Sequence, residues 1–285
     1  MRVLVTGSSG LIGSALVPAL EQAGHTVERV GRQGQELDLS GLPGSDAVVH
    51  LAGAGLGDQR WTPERKQVIL DSRVSTTTQV AEAMARAEAR PSVLVSGSAI
   101  GWYGDRGDEV LTEESGPGTG FLAEVCARWE EATAPAADAG VRVVNLRTGI
   151  VLSPAGGALK PLLLPFKLGL GGRIGTGRQW FSWVALDDEV GAIVHALTDP
   201  SVAGPLNVTA PNPVTYAAFA RALGANLHRP AVVPTPAPAL WAKLGREGAK
   251  EMVLSGQRVL PAKLEAAGCR FQHPDLATAL QAVLP

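Results

Sequence analysis

The chain has 285 residues, 45% of them hydrophobic and 18% charged, with a formal net charge of −2. That length can bury a full core as one large domain or two, and the near-neutral charge leaves no footprint for nucleic acid or an anionic membrane. Two distant cysteines, Cys126 and Cys269, no signal-peptide pattern and no unbroken apolar run of membrane-spanning length lead us to expect a cytoplasmic protein without a metal site.

A buried strand over Val3–Val5 breaks at Thr6-Gly7, and a helical apolar pattern runs from Leu11 to Ala23. Strands over Thr26–Val30 and Ala47–Leu51 follow, then a long helix from Lys66 to Ala89 and a strand over Ser92–Ser96. A helix over Phe121–Ala139 leads to the strand Val141–Leu146. Apolar strands alternating with helices predict an α/β fold, a doubly wound parallel sheet of Rossmann type. Beyond Leu152 the texture changes. Gly156-Gly157, a proline-punctuated apolar helix and Gly169–Gly177 read as an insertion carrying a hairpin, with Trp180, Phe181 and Trp183 on its returning arm. Asp187-Asp188 starts a helix over Val190–Leu197, and a strand follows at Leu206–Thr209. Prolines 230, 234, 236 and 238 mark a linker before a small C-terminal module. The expected division is a nucleotide-binding domain over 1–158 and 184–210, with a smaller substrate-side domain over 159–183 and 211–285, whose C-terminal module is 233–285.

The stretch Gly7-Ser8-Ser9-Gly10-Leu11-Ile12-Gly13 lies between the first strand and its helix, the context that makes a glycine triplet a dinucleotide site. Gly7 permits the turn, Gly10 lets the backbone approach a pyrophosphate, and Gly13 lets the helix pack on the strand; Ser9, Leu11 and Ile12 complete the loop. The helix N-terminus offers N–H groups and a positive dipole end to an anion. An NAD site expects an acidic residue about 20 residues past the loop to accept the ribose 2′-OH. Here the second strand closes on Val30-Gly31-Arg32, and Arg32 suits a 2′-phosphate, so NADP(H) is the expected cofactor. Asp38-Leu39 sits where adenine contacts would fall, and Leu51-Ala52-Gly53 would let the adenosine lie against the backbone. His50 reads as a packed strand residue. Arg73 reaches either the cofactor phosphates or solvent.

The Gly-x-x-Gly-x-x-Gly spacing resembles the short-chain dehydrogenase/reductase superfamily, especially its extended epimerase/dehydratase branch. Ser96-Gly97-Ser98-Ala99-Ile100-Gly101-Trp102-Tyr103-Gly104 resembles the Ser-x-x-x-Tyr-Gly segment of that branch. The resemblance implies a cofactor contact at Ser96 and a serine, Ser98, that bonds the substrate oxygen. The Tyr-x-x-x-Lys pair of the superfamily is missing. With Glu130 aligned to the glutamate that trails the motif, Leu122 and Cys126 hold the tyrosine and lysine positions. Only two tyrosines exist, Tyr103 and Tyr216. Ser98, Tyr103 and Glu124 are left as candidates for proton transfer.

Further segments narrow the resemblance: Phe121–Glu130, Leu146-Arg147-Thr148-Gly149, Leu164–Gly172, Gly175–Trp183 and Leu254–Gly268. They are similar to the "epimerase family protein" or putative nucleoside-diphosphate-sugar epimerase group (family 39U), with its small C-terminal domain of unknown function. Ala185 stands where that group usually carries histidine. The resemblance implies an NADP-binding fold with no settled substrate, and a homodimer through helices 66–89 and 121–139. Gln179, Trp180 and Trp183 are expected to line the substrate side, which favours an apolar or aromatic small molecule over a nucleotide sugar. Three readings follow: an NADP-dependent oxidoreductase, a non-catalytic NADPH-binding sensor or scaffold, and a sugar epimerase. The Leu122/Cys126 replacement weighs against the last.

Overall fold

The computed structural model describes residues 1–33 and 36–284. Six strands, β1 (Arg2–Thr6), β2 (Thr26–Val30), β3 (Ala47–His50), β4 (Val93–Ala99), β5 (Arg142–Thr148) and β6 (Gly204–Val208), form one parallel sheet in the order β6-β5-β4-β3-β1-β2. Strand order reverses at β1, whose two neighbours are β2 and β3. In open α/β sheets such a reversal opens a crevice at the carboxyl ends of the strands.

Alternating side chains of each strand feed two helix layers. Val3, Val5, Val49 and Val95 pack with Leu16 and Leu20 of α1 (Leu11–Gln22) and Ile193 and Leu197 of α6 (Leu186–Thr198). Leu4, Val48 and Leu94 face the other way, against Val80 and Met84 of α2 (Pro63–Arg86) and Ala136 of α4 (Ala134–Asp138). Helix α2 starts three residues earlier than the periodicity predicts. Thr62 caps it by accepting the Arg65 N–H at 3.2 Å, and Pro63 fills the first turn, where its missing N–H costs nothing. The single helix expected over 121–139 is two, α3 (Phe121–Glu131) and α4. Pro135 cannot donate into a continuing helix, and the Thr133 hydroxyl donates to the Glu130 carbonyl at the break.

A second core holds the lobe beyond the sheet. Phe181 stacks on Phe219 at 4.2 Å between centroids and meets Tyr216 edge-on, within a cluster that includes Phe166, Trp183 and Leu280. The expected hairpin is not made. Trp180-Phe181 pairs antiparallel with Val214-Thr215, and Trp183–Ala185 pairs parallel with Ile150–Leu152. The outgoing arm instead pairs with the proline-rich run: Val233 donates to the Gly171 carbonyl and Thr235 to that of Arg173. Those prolines lie along a neighbour, so the run is an extended edge and not a free linker. The segment after it crosses a helix over Ala237–Ala249 and a π-helical turn at Lys250–Leu254. Its docking is carried by buried carboxylates. Asp188 accepts the N–H groups of Gln272 and His273, and Glu113 accepts those of Asn207 and Lys263. No helix among the described residues is long and apolar enough to cross a membrane.

Trp183 is fully buried in this second core, its indole N–H donating to the Asn212 carbonyl. Its expected place on the substrate side is therefore corrected to a packing role. Trp183→Ala should lower unfolding stability by about 3–5 kcal/mol in urea titrations. A variant that binds ligand differently at an unchanged midpoint would return Trp183 to the site.

Candidate functional site: a glycine-lined groove at the strand-order reversal

The carboxyl ends of β1, β2 and β3 open into a groove of about 350 Å³, lined by Gly7–Gly10, Val30–Arg32, Leu37 and Leu51–Gly53. Its floor needs bare backbone. Gly7 has φ +68°, and a Cβ there would sit 2.7 Å from the Leu51 carbonyl; one on Gly13 would sit 2.3 Å from the Gly7 oxygen. No substitution fits without moving a strand end or the helix. Gly10 is the N-cap of α1 and supplies no side-chain cap, so the first N–H groups stay available to a ligand. Ser9 and Gly10 line the groove, whereas Leu11 packs under Gly156-Gly157 and Ile12 joins the core.

Past β2 the groove meets Gly31 and an exposed Arg32 with no carboxylate closing the strand. Glu28, inside β2, pairs with Arg2 at 2.6 Å, while the Asp38 N–H donates to the Gly31 carbonyl at 3.0 Å and so brings Asp38 beside the strand's end. Leu37 lines the wall where Asp38 and Leu39 were expected. The Asp38 carboxylate accepts the Ser40 N–H, and Leu39 packs into the sheet's outer core. His50 is a core residue as its strand position implies. Its ring meets Thr6 at 2.8 Å and Thr76 at 3.2 Å, and burial with the Arg32 charge pushes its pKa down to about 4.

Arg73 is buried, not solvated. Its guanidinium donates to the Ile69 carbonyl, lies over the Trp129 ring at 5.1 Å, and would touch any Cβ placed on Gly53. No ion pair among the described residues involves it. Burial pulls its pKa below the usual arginine value. Arg73 is thus a buried cation with no ion-pair partner among the described residues, next to Gly53 of the groove.

The three proton-transfer candidates do not gather at the groove. The Ser98 hydroxyl donates to Glu130 at 2.7 Å, and Glu130 holds Arg147 bidentately at 2.8 and 2.9 Å. Arg147 donates to the Tyr103 hydroxyl, which donates to Asn207 at 2.7 Å. Tyr103 is fully buried, and burial raises its pKa despite the Arg147 hydrogen bond that opposes the rise. A tyrosinate acid/base needs the opposite shift. Ser96 is likewise buried, its hydroxyl spent on the Gly97 carbonyl. Glu124 is exposed on the outer side of α3, in a separate hollow with Trp61, Lys66 and Arg128. Leu122 and Cys126, at the positions of the missing pair, pack against Gly101. Burial and Glu130 push the Cys126 thiol up to about 12, so it is inert as a nucleophile. Of the residues expected to line the substrate side, Gln179 has its amide committed to the Ile174 and Val253 carbonyls. Trp180 stays partly exposed, with its indole on Asp108 and Arg258 stacked over its ring.

Two features escaped sequence reasoning. Glu251 accepts the N–H groups of Phe121 and Leu122 at 2.9 and 2.7 Å, so a residue 130 positions downstream caps α3. No local pattern marks that contact. Glu189 is fully buried; Thr148 donates to one carboxylate oxygen at 2.8 Å while the other has no partner. A glutamate in the first turn of a helix normally reads as dipole-complementary and exposed.

Comparison with known proteins agrees with this geometry. The NAD dependent epimerase/dehydratase family matches residues 3–208, and a domain of unknown function, DUF1731, matches residues 233–283. An epimerase family protein of Mycobacterium bovis is 44% identical over 291 residues, covering 98% of this chain and 96% of the relative. The crystal structure of human epimerase family protein SDR39U1 (isoform 2) with NADPH superimposes with a TM-score of 0.93 at 37% identity, over 99% of both chains. A nucleoside-diphosphate sugar epimerase from Corynebacterium glutamicum gives 0.83 at 38% identity, over 99% of this chain and 58% of the other.

Burial pushes the Glu189 carboxyl up to about 8 from 4.5. Across that interval the folded state keeps a proton that the unfolded chain releases, so stability falls as pH rises. His50, lowered to about 4 from 6.5, acts in the opposite sense below pH 6.5 only. Above 6.5, of the two, only Glu189 acts. Urea midpoints should therefore fall between pH 6.5 and 8 in the parent protein and stay level in Glu189→Gln. Equal slopes in both proteins would show that Glu189 ionises normally.

Proposed function

The chain belongs to the NAD dependent epimerase/dehydratase family, and we propose that within it the protein is an NADP(H)-binding, oxidoreductase-like member that orients hydride transfer to or from a carbonyl or alcohol substrate. The observation that carries this reading is the junction of the bare glycine cradle with a β2 end that reads Val30-Gly31-Arg32, a base where an NAD site expects an acid. The free N–H groups of α1 and the unpaired Arg73 would hold the phosphates, and Arg32 would hold a 2′-phosphate. When bound, NADP(H) supplies the hydride; the crystal structure of the human relative with NADPH supports that choice of cofactor.

The chain's own contribution is orientation and exclusion of water. Its conventional acid/base positions are aliphatic or inert, and Ser98 and Tyr103 are tied into the Glu130–Arg147 network. Hydride transfer draws much of its acceleration from positioning, so such a site can still turn over. A second reading, a non-catalytic NADPH-binding sensor or scaffold, is favoured by that same closed network. A sugar epimerase is the weakest reading, because it needs an acid/base facing the transferred hydride.

Arg32→Glu should weaken NADPH binding by about 10- to 100-fold in calorimetric titrations, and NADH binding far less. Equal losses for both cofactors would remove Arg32 from the 2′-phosphate site. To separate oxidoreductase from sensor, NADPH deuterated at C4 is incubated with the protein and a metabolite extract. Deuterium appearing in a metabolite, and lost in Arg32→Glu, establishes net reduction. Tight NADPH binding with no transfer selects the sensor.

A further inference from the structure

The net charge of −2 conceals a sharp segregation. The substrate-side segments 159–183 and 211–246 hold eight lysines and arginines and no aspartate or glutamate, so the rest of the chain carries −10. All eight basic side chains are exposed. The same lobe carries most of the large apolar side chains left in solvent: Leu164, Leu168 and Leu170 are 66%, 64% and 58% exposed, and Val232 is 77% exposed.

These features share one tip. Helix α5 (Lys160–Lys167) buries Phe166 and turns Leu164 and Leu168, four residues apart, outward on one face. The extended run after Arg229 is laid alongside. Arg229 donates to the Lys167 carbonyl at 2.9 Å, Val233 to that of Gly171, and the Gly172 backbone abuts Val233. The leucines and Val232 thus stand on adjoining ridges flanked by Lys160, Lys167, Arg173 and Arg229. Exposed aliphatics on a water-facing surface are costly, and two ridges of them ringed by one sign of charge mark an interaction site.

We propose that this tip docks on the surface of an anionic phospholipid bilayer, with the leucines and Val232 entering the headgroup–acyl boundary and the basic rim meeting lipid phosphates. An apolar face with a Lys/Arg rim is the pattern of monotopic attachment. The uncompensated positive lobe suits an anionic leaflet, and the acidic remainder of the chain would be held away from it. Proline-stiffened ridges suit insertion, because little chain entropy is lost on docking.

Full-length protein with NADPH is sedimented with vesicles of phosphatidylcholine alone, or with about a third phosphatidylglycerol. Binding is expected to the anionic vesicles, to weaken with salt, and to be much poorer on phosphatidylcholine. Lys160→Glu/Lys167→Glu should lose at least about fivefold per charge, and Leu164→Ser/Leu168→Ser about tenfold or more. Both variants should keep the parent's thermal midpoint and NADPH affinity, since neither pair lines the nucleotide groove. Absence of binding to anionic vesicles at low salt overturns the proposal. So does full retention by the leucine variant, which would mean electrostatic adsorption elsewhere. Concentration-dependent self-association lost in Leu164→Ser/Leu168→Ser, with no vesicle binding, would assign the tip to a second copy of the chain instead.

Discussion

The buried Glu130–Arg147 pair is the constraint on which the chemistry side of this molecule depends. Arg147 is 3% exposed and Glu130 10%, and the carboxylate is held bidentately, the geometry that recovers most of the desolvation cost of two charges. Burial alone would lower the Arg147 pKa, but its Glu130 hydrogen bonds and charge carry it above the usual arginine value. The pair joins α3 to β5, and Trp102 covers the guanidinium at 4.0 Å. Once it is in place, Ser98 has its hydroxyl proton on a carboxylate and Tyr103 has its oxygen between Arg147 and Asn207. Breaking either side would strand a charge in the core. The two residues that a reader of the family would assign to proton transfer are thereby made into parts of a scaffold.

The nucleotide side follows a different logic, in which backbone does the recognition. A Cβ on Gly7 or Gly13 would fall within 3 Å of backbone atoms, so the cradle is specified by absence of atoms. Charge differs between the two ends of this groove. Glu28 lies inside β2 and is spent on Arg2, so the residue at the strand's end is a base, Arg32. Arg73, on α2 behind Gly53, has burial and an aromatic ring around it but no ion pair among the described residues.

Most of the fold was legible because the relevant signals are local. Val3–Val5 and Ala47–Leu51 are apolar on both faces, as a doubly covered parallel strand must be, and the glycine loop sits between strand and helix in sequence as in space. Legibility failed where the determinant was distant. A hairpin after Gly169–Gly177 is locally reasonable, but Trp180 and Phe181 find Val214 and Thr215 because the second core needs Phe181 against Phe219. Trp183 and Trp180 look alike in sequence, yet one is fully buried and the other partly open. Ser98 and Tyr103 were placed by motif, and a motif carries no information about Glu130 and Asn207, 32 and 104 residues away.

The same blindness applies to charge. A net value averages over the chain, and here the average is nearly zero because a basic lobe and an acidic remainder cancel. Electrostatic recognition acts within a Debye length of about 10 Å, so it is the local sum that a partner meets. The acid-free stretch is interrupted in sequence by residues 184–210, which belong mainly to the sheet layer through α6 and β6. Only folding brings the two basic segments together, through Val233 on Gly171 and Arg229 on Lys167. Leu164 of α5 and Leu168 just past its end sit where those segments join. Apolar surface and positive field therefore coincide by tertiary arrangement, which makes the tip a property of the folded lobe rather than of either segment.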